Sequence, residues 1–146
     1  MKNKEKIQIG ILENVLGYLL AQASISTNKI FKENIVSQYH LNKLEFTTLI
    51  LIKNNANLTL KNLVKILNIP ASNLSLLLVK LEEHKLITRN KSSVDQRIQI
   101  LHLTQSGKKI TTKLEQTSLE MESKLFKNLE NDEREQLFIL LKKLIH

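Results

Sequence analysis

The sequence predicts a mainly helical fold with one small β-hairpin, and three observations support this fold class. The 146 residues include only one proline and three glycines, so few positions interrupt a helix. Apolar residues, mostly Leu and Ile, recur at helical spacing along most of the chain. Between residues 86 and 103 the pattern changes to that of two short strands. The length suits one domain rather than two.

The first predicted helix covers roughly residues 7–38, where apolar side chains recur every three or four positions. Hydroxyl and β-branched residues between Ser24 and Thr27 lower the helix propensity, which predicts a bend there. A helix this long cannot bury its apolar stripe against its own small chain. A partner subunit is therefore expected to cover the remainder.

Three shorter segments follow, and each has a recognisable helix start. Asn42 and Glu45 have the spacing of a capping box, and a run of asparagines ends that helix. Thr59 is a typical N-cap for the next, short helix. After a tight connection that contains Pro70, a third helix is predicted at about residues 71–84.

A hairpin and two further helices complete the chain. Strands are predicted at residues 86–89 and 97–103, joined by a turn at residues 90–93. Thr104 begins a helix that is expected to run to about residue 129, and the last helix follows directly. The predicted order of elements from residue 59 to residue 103 is a short helix, a tight turn, a helix and a hairpin. This is the order of a winged helix-turn-helix, whose second helix enters the major groove of DNA.

The composition excludes several classes of site. The chain has no cysteine, so disulfides, thiol-based redox switches and thiolate metal sites are absent. The segment Met1–Lys6 is charged and has no signal-peptide pattern, and no apolar run approaches the roughly 20 residues of a membrane span. We therefore expect a cytoplasmic protein. No metal or other cofactor is expected, because the histidines lack metal-ligand spacing; they are His40, His84, His102 and His146.

An enzyme is not expected either. Serines and histidines occur without a nucleophile elbow. Gly10, Gly17 and Gly107 are isolated, so no glycine-rich phosphate loop is present. Gly107 is interpreted as a packing position, where a side chain would crowd a neighbouring helix.

Positive charge concentrates in the predicted hairpin. The formal net charge of the chain is +8. Residues 84–112 carry six basic side chains against Asp95 alone, whereas residues 113–146 carry six basic and seven acidic ones. Two of the three arginines, Arg89 and Arg97, fall in the hairpin. Arginine suits a narrow minor groove or a bidentate phosphate contact, so double-stranded DNA is the predicted partner.

Several short motifs add to this pattern. They are Leu67-Asn68-Ile69-Pro70, Asn73-Leu74-Ser75, Leu81-Glu82-Glu83, Leu86-Ile87-Thr88-Arg89, Asp95-Gln96-Arg97 and Leu103-Thr104-Gln105-Ser106-Gly107. In combination they resemble the MarR family of winged helix-turn-helix transcriptional regulators over nearly the whole chain. The Asp-x-Arg in the wing followed by Leu-Thr-x-x-Gly is the most specific part of that resemblance.

The resemblance implies a homodimeric repressor that binds a pseudo-palindromic operator and responds to a small-molecule effector or to its own abundance. It divides the chain into an N-terminal dimerisation helix (1–38), a winged helix-turn-helix (39–104) and C-terminal dimerisation helices (105–146). The family's ligand pocket would lie between these parts. The candidate lining residues also fit an ordinary core; they are Phe31, Tyr39, His40 and Phe46.

The predicted DNA contacts lie on the recognition helix and the wing. They are Ser72, Asn73, Ser75, Leu76 and Lys80 on the helix, and Arg89, Lys91 and Arg97 on the wing, with Asp95 orienting Arg97. For these polar residues, helix capping, solvation or an ordinary surface ion pair is the alternative interpretation.

Two positions depart from the family pattern. His84-Lys85 stands where relatives often carry Lys-Gly, so one of the two must adopt a left-handed conformation at a cost of about 1 kcal/mol. Leu76 stands where relatives often carry Arg or Lys, which favours contact with a thymine methyl group. The weakly basic recognition helix also leaves open a second function, an interaction protein that does not bind DNA and docks on another regulator.

Overall fold

A computed structural model, which describes residues 7–145, has the predicted order of elements. The segment Met1–Lys6 and His146 lie outside the described residues. The mainly helical fold with one antiparallel hairpin is confirmed. The helices are α1 (Leu16–Phe31), α2 (Lys43–Asn54), α3 (Leu60–Leu67), α4 (Ala71–Glu83), α5 (Gln105–Leu125) and α6 (Asn131–Ile145), and the strands are β1 (Ile87–Lys91) and β2 (Gln99–Leu103).

The N-terminal helix differs from the prediction in where it is irregular. Helix α1 is continuous through residues 24–27, where a bend was expected, and the Thr27 hydroxyl donates to the Ser24 carbonyl (3.0 Å) within the helix. The break lies earlier, at Val15, after a short 3₁₀ helix. A π-helical turn, Lys32–Val36, follows α1. There the Asn34 side-chain amide donates to the Ile30 carbonyl (2.7 Å). In a regular α-helix, that carbonyl would accept from the Asn34 backbone N–H instead.

The hydrophobic core lies where the end of α1 and its π turn, α2, α3, α4, the hairpin and α5 meet. Apolar positions spaced three and four apart on each helix supply it, as expected for amphipathic helices. Fully buried members are Ile35, Leu49, Leu63, Leu74, Leu78, Leu81, Ile87, Leu101 and Leu114.

The helix-turn-helix has the predicted caps. Asn42 and Glu45 form the capping box of α2, and Thr59 caps α3 by accepting from the Asn62 backbone N–H. Asn68 ends α3 in the left-handed conformation, with φ of 52°. Pro70 is the N-cap of α4. These local signals place α4 after a tight turn, in the position of a recognition helix.

The wing is a two-stranded antiparallel hairpin with a longer loop than predicted. Its register runs from the pair Ile87–Leu103 to the pair Lys91–Gln99. The turn expected at residues 90–93 lies instead between Lys91 and Gln99, because Ser92 N–H still donates to the Ile98 carbonyl (2.9 Å) and the chain folds back beyond it. Strand β2 is also held from the other side by a backbone bond from Leu101 N–H to the Leu58 carbonyl (2.8 Å).

The junction between α4, the wing and α5 is tightly packed. Lys85 takes the left-handed conformation that the sequence predicted for one of two residues, with φ of 56°. A Cβ atom on Gly107 would lie 2.0 Å from the Leu86 carbonyl oxygen, which confirms the predicted packing role of Gly107, although the neighbour is the segment between α4 and β1 and not a helix. Thr104 caps α5 by accepting from Gly107 N–H (3.0 Å). Helix α5 ends at Leu125, earlier than the predicted residue 129.

The two ends of the chain expose apolar side chains. None of the described residues of α6 is buried, and five of its leucines and isoleucines are exposed together with Phe138.

Within residues 7–145, no single helix is long and apolar enough to cross a membrane. Helices α3 and α4, bent by 120° relative to each other, meet the length and hydropathy criteria only when they are combined.

Candidate nucleic-acid interface

The recognition helix α4 has one buried and one exposed face. Leu74, Leu77, Leu78 and Leu81 face the core. Ser72 and Asn73 are exposed in its first turn, Ser75 is half-buried, and 72% of Leu76 is exposed. A leucine this exposed contributes nothing to the core, so its side chain is available to an external partner. The predicted polar contacts Ser72 and Asn73 accompany it at the solvent-facing start of the helix.

The basic residue of the recognition helix is engaged within the protein. Lys80 Nζ lies 2.5 Å from Glu45 Oε1 in α2. The Glu45 side chain is only 3% exposed, and its other oxygen accepts from Asn42 N–H (2.8 Å). Sequence reasoning identified Glu45 as a cap and missed this second role, because nothing local in the sequence links α2 to α4.

Arg89 is also paired, with Glu82 at the end of α4. Its Nη2 lies 2.7 Å from Glu82 Oε2, and the arginine side chain is only 20% exposed. Lys91, two residues further along β1, is exposed. Of the two predicted cations on β1, Arg89 therefore faces the protein and Lys91 faces solvent.

Arg97 projects from the wing loop and is oriented by Asp95. The Arg97 side chain is 91% exposed. Its Nε and Nη2 donate to the two oxygens of Asp95, each at 3.2 Å, and its backbone N–H donates to Asp95 Oδ1 (2.9 Å). These bonds from Arg97 lower the pKa of the Asp95 carboxyl below its ordinary value of 3.8. The structure brings the two residues together as expected, with the guanidinium exposed on the wing loop.

The predicted pocket residues do not form one site. Phe31 and Phe46 meet edge to face, with ring centroids 5.5 Å apart, and line a cleft of about 270 Å³ together with Lys43 and Met121. Tyr39 lies elsewhere and its hydroxyl contacts Thr117 Oγ1 (3.0 Å). His40 is exposed after the short helix Ser37–Tyr39, has a left-handed backbone, and does not line the cleft of the two phenylalanines.

Within the described part of the chain, no group of three or more His, Asp or Glu side chains is close enough to hold a metal ion. The chemistry that the interface offers is therefore hydrogen bonding, apolar contact and positive charge. A helix exposed at its start beside a basic, exposed hairpin has the geometry of a nucleic-acid-binding surface.

Comparison with known proteins gives the family. The model of the MarR family matches residues 41–99, from α2 to the start of β2. The HTH-type transcriptional regulator MgrA of Staphylococcus aureus is 30% identical over 135 residues, which are 92% of this chain and 90% of MgrA. The chain belongs to the MarR family. The predicted family and the predicted class, a transcriptional regulator, are confirmed.

Solved MarR-family structures have the same fold over almost the whole chain. The transcriptional repressor CouR, bound to a 23-mer DNA duplex, is 26% identical with a TM-score of 0.88, and the match covers 97% of this chain and 99% of CouR. A MarR mutant from E. coli, complexed with operator DNA, is 26% identical with a TM-score of 0.81, covering 95% and 100%. Nothing in these comparisons favours an interaction protein that does not bind DNA.

Proposed function

We propose that this MarR-family protein is a homodimeric repressor that binds a pseudo-palindromic DNA sequence. The observation that carries the proposal is the exposed Arg97 guanidinium, which Asp95 holds in the wing loop, together with the exposed residues at the start of α4. Because Asp95 already orders this side chain, its entry into a narrow minor groove costs little further conformational entropy. The wing and the helix then contact adjacent grooves of one half-site.

Base recognition is assigned to the exposed part of α4. Ser72, Asn73 and Ser75 offer hydroxyl and amide groups to base edges, and Leu76 offers an apolar side chain to a thymine methyl group. Lys91 and Arg97 supply the phosphate and minor-groove contacts. The solved complexes of CouR and E. coli MarR with DNA support this arrangement, since their fold matches this chain over nearly its full length.

Dimerisation is assigned to the two ends of the chain. Helix α6 presents an apolar face with no buried residue among those described. The segment around α1 does the same, with Leu16, Leu19 and Leu20 each about half exposed. Faces of this kind mark protein–protein contacts. A second copy of the chain is the occupant that fits both ends at once, because a two-fold axis brings each end of one subunit against the ends of the other.

The cleft between Phe31 and Phe46 is assigned to the small-molecule effector. Its lining combines apolar side chains with one basic residue, Lys43, and one acidic residue, Glu122, which suits a small aromatic or apolar molecule with a few polar groups. Helices α1, α2 and α5 all contribute residues to this cleft. A bound molecule would therefore change the packing of α1 and α5 against α2. This change would alter the distance between the two recognition helices of the dimer.

Equilibrium binding to a fluorescent duplex of about 30 base pairs, long enough for two half-sites, tests the DNA-binding part. Affinity is expected to fall steeply with salt, and Arg97→Ala is expected to reduce the log–log slope by about 0.9 for each phosphate that the variant no longer binds. Lys127→Ala is the control, because Lys127 follows the far end of α5, a helix of 21 residues that spans about 31 Å. Failure of the wild-type protein to bind duplex DNA at low salt would overturn the proposal.

A further inference from the structure

Two ion pairs hold the recognition helix on opposite flanks. Lys80 and Glu82 are two residues apart, so their side chains point about 200° apart around the helix axis. Lys80 contacts Glu45 of α2 (2.5 Å), and Glu82 contacts Arg89 of β1 (2.7 Å). Helix α4 is therefore tied to α2 on one side and to the wing on the other, and its exposed face lies between the two ties.

The Lys80–Glu45 ion pair, which joins α4 to α2, includes a buried carboxylate. Glu45 has a 3% exposed side chain and uses both carboxylate oxygens, one for Asn42 N–H and one for Lys80. A buried carboxylate without its cation is left uncompensated, which is costly. Transfer of Lys80 from Glu45 to a DNA phosphate would impose that cost, whereas a cation already in solvent, such as Lys91, binds phosphate without it.

The Arg89–Glu82 pair, which joins α4 to the wing, has the more enclosed cation, since the Lys80 side chain is 49% exposed. Arg89 is 20% exposed, and its Nε atom is buried without a hydrogen-bond partner. The guanidinium therefore contacts Glu82 through one end while its inner edge lies within the protein. This geometry fixes the wing strand to the end of α4 and leaves little of Arg89 for an external phosphate.

We propose that Lys80 and Arg89 are positioning residues, which set the rotation of α4 about its own axis and thereby the aim of its exposed side chains at base edges. This positioning role takes the place of the direct DNA contacts that the sequence predicted for the two residues. The inference rests on the proposed DNA-binding function and adds two acidic residues, Glu45 and Glu82, to the determinants of sequence recognition.

Three roles for Lys80 differ in what its substitution changes. If Lys80 binds a phosphate, its removal weakens binding to all duplexes and lowers the salt slope. If Lys80 only stabilises the fold, its removal lowers the melting temperature but leaves the relative affinity for different sequences unchanged. If Lys80 positions α4, its removal weakens binding to the preferred sequence only, because misaligned hydrogen bonds no longer discriminate bases, while phosphate binding and the salt slope persist.

The test compares Lys80→Met, Glu45→Gln and the double variant with wild type. The substituted methionine keeps the apolar stem, and glutamine keeps an acceptor for Asn42 N–H. Each protein is titrated with two probes at several salt concentrations: the duplex that wild type enriches from a randomised library, and a scrambled duplex of the same composition. The double variant has no unpaired buried charge and keeps the test valid if a single variant fails to fold. Lys91→Met is the matched control for a phosphate contact.

We expect each single variant to bind the enriched duplex about tenfold more weakly than wild type. Its affinity for the scrambled duplex and its salt slope should be unchanged. The double variant should bind the enriched duplex no more weakly than either single variant. Arg89→Met and Glu82→Gln should show the same pattern. A lower salt slope in Lys80→Met, as in Lys91→Met, or unchanged or tighter binding in Glu45→Gln would overturn the inference. If wild type binds neither duplex, the proposed function itself fails, which is a separate result.

Discussion

At the scale of single residues, the interface combines a fixed cation with an exposed apolar side chain. Arg97 is oriented through three hydrogen bonds to Asp95, so its charge is presented in one direction. Leu76 is 72% exposed and has no polar group, so it can recognise a base only by apolar contact. In the proposed DNA complex the two residues would recognise different features: Arg97 the shape and charge of a groove, and Leu76 the thymine methyl group.

Replacement of thymine by deoxyuridine in the preferred duplex tests the role of Leu76. Removal of a buried methyl group is expected to weaken wild-type binding about fourfold per contacted thymine, equivalent to about 0.8 kcal/mol. Leu76→Ala should bind the two duplexes equally, because alanine is too short to reach the methyl group. The measurement is a competition titration between the two duplexes, and equal affinity of wild type for both would show that Leu76 contacts no thymine.

The Asp95–Arg97 pair gives the wing a defined pH dependence. Because Arg97 lowers the folded-state pKa of Asp95 below its ordinary value of 3.8, the pair's stabilising contribution is fully present above that value. It is lost as the pH falls through the lower, folded-state pKa. Carboxyl-carbon NMR of Asp95 should show this lowered pKa, and the Arg97 Nε–H signal should shift in the same pH range. An ordinary Asp95 pKa, or no shift at Arg97, would show that the pair does not persist in solution.

At the scale of elements, the wing depends on close packing between the end of α4 and the start of α5. The Leu86 carbonyl accepts from Thr104 N–H (3.0 Å), and the same carbonyl lies against Gly107. Thr104 also caps α5. One short stretch of backbone therefore sets both the exit of β2 and the entry of α5, which fixes the wing relative to the rest of the protein.

Gly107→Ala is expected to destabilise the fold by about 1–3 kcal/mol, the range for an overpacked site, because its Cβ would lie 2.0 Å from the Leu86 carbonyl oxygen. Gly17→Ala is the matched control, since nothing lies within 4 Å of its Cβ position. Chemical denaturation measures both free energies of unfolding. An equal effect at the two glycines would contradict the packing role of Gly107.

What the sequence could predict at this scale depends on whether a signal is local. The caps at Asn42, Thr59 and Thr104 and the left-handed position at residues 84–85 follow from a few adjacent residues, and the structure has them. The partners of Lys80 and Arg89 lie on other elements, and side-chain contacts between elements leave no local pattern. Hydroxyl residues at positions 24–27 predicted an irregularity there, whereas the helix breaks at Val15 and has its π-helical turn at Lys32–Val36.

At the scale of the whole molecule, the exposed apolar side chains lie mainly on different elements from those of the hydrophobic core. The central elements bury their apolar faces against one another, whereas α6 and the segment before and within α1 leave theirs exposed. A single subunit of this kind would be poorly soluble. The proposed second copy would cover this surface and would also supply the second recognition helix that a pseudo-palindromic site requires.

Substitution on α6 tests this division. Leu140→Asp combined with Leu144→Asp is expected to shift the protein from dimer to monomer in sedimentation equilibrium, since a charge buried at an apolar interface is strongly unfavourable. Ile66→Asp is the control, because Ile66 is an exposed apolar residue of α3 in the DNA-binding part. A wild-type monomer, or a dimer unaffected by the α6 substitutions, would contradict the assignment of this face.

The most direct test of the central claim, that two copies present two recognition helices and two wings to one duplex, is selection of bound DNA from a fully randomised library. We predict enrichment of an inverted repeat whose half-site centres are separated by about one helical turn, roughly 10 base pairs. Enrichment of a single unsymmetrical motif, or of no motif at all, would contradict it.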